Sequence, residues 1–231
     1  SPIMGVFLTN ADVDHTAGLI NLRESQTFNL YATERVINVL NSNSIFNVLN
    51  PKFVNKVPVK LDSYLELLNA DKTESGIKVK AFAVPGKVAL WLEDANKGPN
   101  FGSVDEDTIA LEIYNEETGA SFFYIPACAY VPDWLKEKLN NTSLLFFDGT
   151  LWTDDEMITQ KVGIKTGKRM GHISMSGEEG SLNIFKDLKI NRKIFIHINT
   201  TNPALLDNSS ERKILKDAGW EVAYDTMEIK I

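Results

Sequence analysis

Three histidines and the acidic residues near them are the side chains of this chain best suited to chemistry. The sequence holds only three histidines in 231 residues. His15 and His197 each follow an apolar run that predicts a buried strand, and His172 lies in a Gly/Ser-rich loop. Strand ends present side chains from a rigid sheet to a site. We therefore interpret the three imidazoles as parts of one His/carboxylate metal centre.

The segment Thr-Asn-Ala-Asp-Val-Asp-His-Thr-Ala-Gly near the amino end carries the strongest signal. In an extended chain the side chains of Asn10, Asp12 and Asp14 point the same way, and His15 joins them where the chain turns into a helix. Oxygen and imidazole donors together suit iron, manganese or zinc. The alternative is that Asp12 or Asp14 merely caps the helix that follows. Both interpretations stay open for this segment taken alone.

The other two histidines are read together with Asp148. His197 is either a satisfied core histidine or a ligand, and its place at the end of a buried strand favours a ligand. Asp148 leaves a strand next to Gly149, although Asp-Gly is more often a turn. His172 belongs either to a solvated basic loop or to an acid/base pair in which Asp148 orients its imidazole. We predict that Asp12, Asp148 and His172 handle protons.

Cys128 is the one cysteine of the sequence. An intramolecular disulfide or a cysteine-rich zinc site therefore cannot be built from these residues. We predict that Cys128 is a small buried residue rather than a nucleophile or ligand. A Gly-rich phosphate loop and a Gly-x-Ser-x-Gly elbow are both missing from the sequence, which argues against two common enzyme classes.

The composition predicts an acidic protein with a large core. Because 43% of the residues are hydrophobic, the chain can bury one substantial core. A net charge of −7 argues against nucleic acid or an anionic membrane as a partner. No apolar run approaches the roughly 20 residues of a membrane span, and no signal peptide is visible. We expect a cytoplasmic protein with one domain over residues 1–231, and a homodimer is possible.

Hydrophobic patterning predicts a strand-rich α/β chain. The pattern suggests two sheets that pack against each other on one face and are covered by helices on the other, which is a four-layer α/β/β/α sandwich. A strand that starts within three residues of the first residue suggests that earlier strands of the domain are missing. Strands are predicted over residues 3–8, 28–31, 77–84, 88–93, 108–114, 121–125, 143–147, 193–198 and 221–224, and helices over 16–24, 33–40, 132–139, 180–188 and 209–218.

The histidine and aspartate positions resemble the metallo-β-lactamase superfamily signature T-H-x-H-x-D-H. Asn10 and Asp12 stand where that signature has its first two histidines, and Lys87 stands where the superfamily has a histidine after Pro-Gly. Several ligands of the first metal are therefore replaced, and a dinuclear hydrolase becomes a weaker alternative. The residues that remain as in the superfamily are Asp14, His15 and His197, which resemble the 2-His-1-carboxylate set of Fe(II) oxygenases.

A closer resemblance, to the coenzyme PQQ synthesis protein B family, covers almost the whole chain. Its most specific run is Asp-Gly-Thr-Leu-Trp-Thr-Asp-Asp-Glu-Met over residues 148–157. The resemblance implies an iron-dependent enzyme that uses molecular oxygen to hydroxylate the tyrosine ring of a crosslinked Glu-Tyr intermediate in pyrroloquinoline quinone synthesis. Fe(II) is the expected metal, with zinc as an alternative in purified protein. The expected substrate contacts come from Lys87, Arg169 and Asn199.

That family is longer at its amino end, where it carries a cysteine-rich structural zinc motif. The resemblance therefore implies that these 231 residues are the carboxyl-terminal three quarters of a longer chain. Older descriptions of the family suggest a different role, in which a carrier moves the quinone or its precursor to the periplasm. A binding protein without turnover is thus the main alternative to the oxygenase.

Overall fold

Strands and short helices alternate along the chain and belong to two units. The structure, a computed structural model, describes residues 2–69, 71–98 and 100–231. The N-terminal unit comprises Ser1–Gly119 and the C-terminal unit Ala120–Ile231. The expectation of one domain stays a prediction.

Two groups of strands form the N-terminal unit. Its strands are β1 (Gly5–Phe7), β2 (Phe28–Thr33), β3 (Val54–Val59), β4 (Tyr64–Leu68), β5 (Glu74–Ala83) and β6 (Ile109–Asn115). The first three form a parallel sheet in the order β1-β2-β3. In the second group β5 pairs antiparallel with both β4 and β6.

The parallel sheet of this unit packs in an apolar core with one regular helix. The helices are α1 (Val13–Thr16), which continues into a 3-10 turn at Ala17–Leu22, and α2 (Glu34–Ser42). Helix α2 begins after Thr33 because the Thr33 hydroxyl accepts a hydrogen bond from the Val36 backbone N–H. One face of α2 is buried and joins Leu30 of β2 in the core.

Four parallel strands organise the C-terminal unit, in the order β10-β9-β8-β7. They are β7 (Ser121–Ile125), β8 (Thr142–Asp148), β9 (Ile190–Ile196) and β10 (Trp220–Val222). The helices are α3 (Asp133–Leu139), α4 (Glu156–Thr159), α5 (Gly167–Met170), α6 (Ser181–Ile184) and α7 (Ser210–Asp217). Phe195 stacks on Trp220 with ring centroids 3.9 Å apart. Because the strands are parallel, their carboxyl ends meet at one edge of the sheet.

Most predicted elements are confirmed, with differences at weakly patterned segments. Strands β3 and β4 and helices α4 and α5 are additional to the prediction. The strand predicted over 88–93 is wrong, since the chain there forms a 3-10 turn at Leu90–Leu92. The helix predicted over 16–24 is a 3-10 helix at Ala17–Leu22 that follows the short α1, and the helix predicted over 180–188 is only Ser181–Ile184. Within the described residues, no helix has the length and apolar character needed to cross a membrane.

Candidate metal centre

The carboxyl ends of β8 and β9 bring acid and imidazole together. Asp148 is the last residue of β8, and its neighbour in the ladder is Ile196, which ends β9. The next residue, His197, has a φ of 53°. This left-handed conformation is uncommon outside glycine and concentrates at functional sites. The Gly149 N–H donates to the Ile196 carbonyl at 2.8 Å, so the two strand ends are tied together.

Asp148 is a buried carboxylate with both oxygens engaged. Its Oδ2 accepts from the Cys128 N–H at 2.9 Å and lies 2.8 Å from His172 Nδ1. Its Oδ1 accepts from the Thr150 N–H at 3.1 Å and from the Thr150 hydroxyl at 2.6 Å. Burial raises the pKa of Asp148, but attraction by His172 and His197 and the hydrogen bonds of His172 and Thr150 outweigh it and lower the pKa. Asp148 is therefore an ionised group that orients its neighbours.

His172 and His197 form a stacked pair, hereafter the histidine pair. Their ring centroids are 5.1 Å apart and their planes differ by 18°. Both Nδ1 atoms contact the Thr150 hydroxyl, at 3.0 Å for His172 and 2.8 Å for His197. An imidazole held at Nδ1 directs Nε2 away from its anchor, as metal-binding histidines do. One donor atom each from Asp148 and the histidine pair lie within 4.8 Å of one another.

The contact predicted between Asp148 and His172 is confirmed by this geometry. The imidazole is 14% exposed and the carboxylate is fully buried. A carboxylate in contact with Nδ1 holds the His172 ring in one orientation and favours one tautomer. The predicted part of the two residues in proton transfer stays a prediction.

The side chain of Asp12, in the acidic segment of the N-terminal unit, does not cap the helix that follows it. Asp12 precedes α1, but its side chain makes no capping hydrogen bond. Its Oδ1 instead accepts from the Leu90 backbone N–H at 2.8 Å, and its Oδ2 lies 3.8 Å from Lys87 Nζ. The Asn10 side chain accepts from the Asp12 N–H at 2.9 Å and sets the turn. Asp12 therefore fixes the segment around Leu90, and its role with protons stays a prediction.

His15 and Asp14 lie side by side at the start of α1. His15 Nε2 is 3.9 Å from Asp14 Oδ2, and the two side chains are 12% and 62% exposed. His15 Nδ1 lies 3.4 Å from the Thr9 hydroxyl. The predicted ligand set of Asp14, His15 and His197 takes residues from both units, and it stays a prediction.

Lys87 lies among carboxylates at a tight turn. Its Nζ is 3.4 Å from Glu93 Oε1, in addition to Asp12. The preceding Gly86 packs against the Thr108 side chain so closely that a Cβ there would lie 2.4 Å from the hydroxyl oxygen. A larger residue at Gly86 would push the turn away and move Lys87. The predicted contact of Lys87 with substrate is not tested by these ion pairs.

The two remaining residues predicted to bind substrate lie in the C-terminal unit. Arg169 is half-buried on α5, where its N–H donates to the Thr166 hydroxyl at the start of the helix. The Asn199 side chain donates to the Thr201 hydroxyl at 2.8 Å, and its backbone N–H donates to the Thr150 carbonyl at 3.0 Å. Asn199 thus supports the loop after β9. Substrate binding by either residue stays a prediction.

Sequence reasoning misses two residues that organise this site. Thr150 contacts Asp148 and both imidazoles, although a threonine after Asp-Gly gives no chemical signal of its own. Glu156 is 3% exposed, and its carboxylate accepts from the Trp152 N–H and the Thr201 hydroxyl. The only available signal is that both lie in the distinctive run over residues 148–157.

Cys128 is confirmed as a small buried residue. Its side chain is fully buried and its Sγ contacts the Tyr130 carbonyl at 3.1 Å. Burial, together with the charge of Asp148, raises the pKa of the Cys128 thiol. The thiolate that a nucleophile or metal ligand requires is therefore disfavoured. The contribution of Cys128 to the site is its backbone N–H, which donates to Asp148.

The chain is similar to known proteins over almost its whole length. A family model described as a beta-lactamase superfamily domain matches residues 1–198. Coenzyme PQQ synthesis protein B of Bradyrhizobium diazoefficiens is 49% identical over 230 residues, which cover 99% of this chain and 74% of that protein. The protein of the same name from Xanthomonas oryzae pv. oryzae is 45% identical and matches 100% of this chain and 74% of its own length.

Solved structures agree with the sequence relatives. The crystal structure of Zn²⁺-bound PqqB from Methylobacterium extorquens has a TM-score of 0.91 and 43% identity, covering 100% of this chain and 74% of that chain. A diphosphatase from the PhnP family has a TM-score of 0.62 and 19% identity, covering 96% of this chain and 68% of that chain, and shares the fold alone. The expected metallo-β-lactamase-like α/β fold is confirmed, and the chain belongs to the coenzyme PQQ synthesis protein B family of the beta-lactamase superfamily.

Proposed function

We propose that the protein acts in pyrroloquinoline quinone synthesis as an iron-dependent hydroxylase. It would use molecular oxygen and two electrons from an external reductant to hydroxylate the tyrosine ring of a crosslinked Glu-Tyr intermediate, with the second oxygen atom released as water. Family membership supports the pathway, since the relatives are named for coenzyme PQQ synthesis. The observation that carries a metal-dependent function is the anchoring of the histidine pair through Nδ1 on Thr150.

The donor types of this chain fit a first-row divalent metal. Imidazole with carboxylate suits iron and also zinc, which the similar structure from Methylobacterium extorquens contains. The carboxylate of Asp148 already accepts from backbone and hydroxyl donors, so it suits orientation better than ligation. We assign the ligands to Asp14, His15 and His197, following the family signature. Fe(II) held there would supply the oxygen activation that ring hydroxylation needs.

We assign proton transfer to His172, whose ring is oriented by Asp148. Because the Asp148 carboxylate contacts Nδ1 and holds the ring in place, His172 would take up a proton at Nε2. The same contact lets His172 return that proton without rotating its ring. Asp12 would assist only if it separates from Leu90 and Lys87, which hold its carboxylate in this structure.

Substrate recognition is assigned to the cationic and amide side chains predicted from the sequence. The Glu-derived part of the proposed substrate carries carboxylates, which Arg169 and Lys87 would bind through charge-assisted hydrogen bonds. Asn199 would contribute an amide near the end of β9. The surroundings of the two cations differ, since Arg169 is half-buried on a short helix and Lys87 is paired with Asp12 and Glu93.

Oxygen uptake by anaerobically purified, Fe(II)-loaded protein tests the proposed function. With a chemical reductant present, we expect oxygen consumption that depends on the crosslinked Glu-Tyr substrate, with a product heavier by one oxygen atom, and no turnover from the zinc-loaded control. Substrate binding without oxygen uptake would instead support a carrier. Cleavage of the substrate by water, without oxygen, would support a hydrolase. Either result would overturn the hydroxylase proposal.

A further inference from the structure

We propose that a cavity at the carboxyl ends of β9 and β10 is the binding site for the phenol ring of the substrate. The cavity encloses about 300 Å³. The lining residues that carry the inference come from three segments of the C-terminal unit, namely His197 and Ile198 after β9, Leu205 in the next turn, and Tyr224 and Asp225 after β10. This inference rests on the proposed function and deepens it, because it names the residues that select the ring.

Two side chains of this cavity expose apolar surface that a ligand would cover. Tyr224 is 66% exposed and Leu205 is 41% exposed. Apolar and aromatic surface gathered in a concave site, with a few polar groups among it, is typical of small-molecule binding sites. The volume of this cavity lies at the lower end of the roughly 300–1,000 Å³ of such sites. The cavity therefore takes one ring rather than the whole crosslinked molecule.

Strained backbone lies on both sides of the cavity. His197 has a φ of 53°, and Thr226, which follows the lining residues after β10, has a φ of 68°. A left-handed conformation is costly for a β-branched residue, and such strain concentrates at sites that bind ligands. The Ala223 N–H donates to the Phe195 carbonyl at 2.9 Å, which ties the segments after the two strands together. The fold thus holds both of these walls in uncommon conformations.

The wall that Leu205 contributes is fixed by hydrogen bonds around its own turn. Leu205 ends the 3-10 turn at Pro203–Leu205. The side chain of Asn202, which is 2% exposed, accepts from the Ala204 N–H at 2.9 Å and donates to the Gly149 carbonyl at 3.0 Å. These bonds join the turn to the loop after β8. A wall that is already in place lowers the conformational entropy lost when a ligand binds.

Asp225 gives the cavity its chemical selectivity. Its side chain is exposed, and an ionised carboxylate only accepts hydrogen bonds, so it suits the O–H of a phenol. The same charge repels the carboxylates of the Glu-derived part of the substrate and leaves the cavity to the ring. His197 belongs to the wall, so a ring bound here lies beside the proposed metal centre.

Calorimetric binding of two dipeptides to zinc-loaded protein tests the inference without oxygen. Glu-Tyr is the probe, and Glu-Phe differs from it only by the missing phenol hydroxyl. We expect the unmodified protein to bind Glu-Tyr more tightly than Glu-Phe, and Asp225→Ala to bind both alike. Tyr224→Ala should weaken Glu-Tyr binding by about 2–12-fold, the affinity equivalent of an aromatic pair.

Leu205→Ala and Leu206→Ala provide a matched pair of variants. The two leucines are neighbours in the chain, and Leu206 is 66% exposed but does not line the cavity. Leu205→Ala should weaken Glu-Tyr binding by about tenfold, because it removes apolar surface that the ring covers. Leu206→Ala should bind Glu-Tyr as the unmodified protein does.

Three results would each overturn the inference, namely no binding of Glu-Tyr, equal affinity of the unmodified protein for the two dipeptides, or unchanged Glu-Tyr binding in both Tyr224→Ala and Leu205→Ala. Turnover is a separate measurement. The expected binding losses in a protein without oxygen uptake would keep the ring site and remove the hydroxylase. Oxygen uptake with an unchanged KM for the crosslinked substrate in Tyr224→Ala would keep the hydroxylase and remove the ring site.

Discussion

Each unit of the molecule contains a histidine whose Nδ1 faces a threonine hydroxyl, and the two pairs differ in how firmly they are built. In the C-terminal unit Thr150 Oγ1 lies 2.8 Å from His197 Nδ1, and the hydroxyl contacts the fully buried carboxylate of Asp148. In the N-terminal unit Thr9 Oγ1 lies 3.4 Å from His15 Nδ1, and the side chain of the adjacent Asp14 is 62% exposed. The first pair is preorganised, whereas the second can adjust to a ligand.

The carboxylates of the two units show the same difference. Asp148 has two backbone N–H groups, a hydroxyl and an imidazole as partners in a dry environment. Asp12 has one backbone N–H and a lysine, and its side chain is 24% exposed. If the carboxylate is removed, water can hydrogen-bond to part of the groups that Asp12 contacts but to few of the buried groups that Asp148 contacts. Substitutions in the C-terminal network should therefore have the larger effects.

The largest expected effect is on turnover, when the acid/base histidine of the C-terminal unit is removed. His172→Ala should lower turnover by about 10²–10⁴-fold, the usual contribution of general acid–base catalysis, while metal content is kept. His15→Ala in the N-terminal unit should lose metal and turnover together, because His15 is assigned as a ligand. Turnover and metal analysis of the two variants provide the check. If His172→Ala loses metal in proportion to turnover, His172 is a ligand and the assignment is wrong.

The next effect is on stability. Asp148→Ala should lower the free energy of unfolding by about 3–5 kcal/mol, because it leaves buried donors and an imidazole without their partner. Asp12→Ala should cost about 1 kcal/mol, the value of an ordinary hydrogen bond. Urea unfolding curves for both variants measure the difference. Equal losses would show that the two carboxylates are equivalent and that the contrast between the units is mistaken.

A backbone substitution at the end of β8 should have a smaller effect. A Cβ on Gly149 would lie 2.7 Å from Met175 Cε, 3.0 Å from Phe195 Cβ and 3.1 Å from the Ile196 carbonyl oxygen. Gly149→Ala should therefore cost about 1–3 kcal/mol through overpacking. Gly18→Ala is the control from the N-terminal unit, since among the described residues nothing beyond its chain neighbours and its own helix lies within 4 Å of where its Cβ would be. Thermal unfolding measures the melting temperatures of both variants. Melting temperatures that agree within experimental error would contradict the overpacking predicted at Gly149.

The sequence predicts strands well where their apolar runs are unbroken. The last three residues of strand β9 are such a run, with Ile194 and Phe195 fully buried. Strand β3 is missed because Pro58 and polar residues interrupt its pattern. In the sheet order β1-β2-β3 it lies at an end, where a proline is tolerated. Knowledge of the neighbouring strands is needed before such a segment can be assigned.

Residue type predicts the site in part. Histidine and aspartate at strand ends are recognisable as candidates, and the contact between Asp148 and His172 follows from that reasoning. Thr150 is not recognisable, because the role of a hydroxyl depends on which atoms fold around it. Lys87 shows the converse, since its charge suggests substrate binding while the fold places it between Asp12 and Glu93. Such pairing depends on distances that sequence spacing does not give.

The smallest expected effect compares this lysine with an exposed one. Lys87→Met keeps the aliphatic stem and removes the charge, and should cost about 1 kcal/mol because Asp12 and Glu93 are left together in a half-buried setting. Lys136→Met, which breaks the exposed pair with Asp133, should change stability by no measurable amount. Raising the salt concentration should reduce the difference only in part, since half-buried charges are screened less than exposed ones. Urea unfolding at low and high salt measures both. If Lys87→Met leaves stability unchanged but weakens substrate binding, the ion pairs are incidental and the predicted contact of Lys87 with substrate carboxylates is its main role.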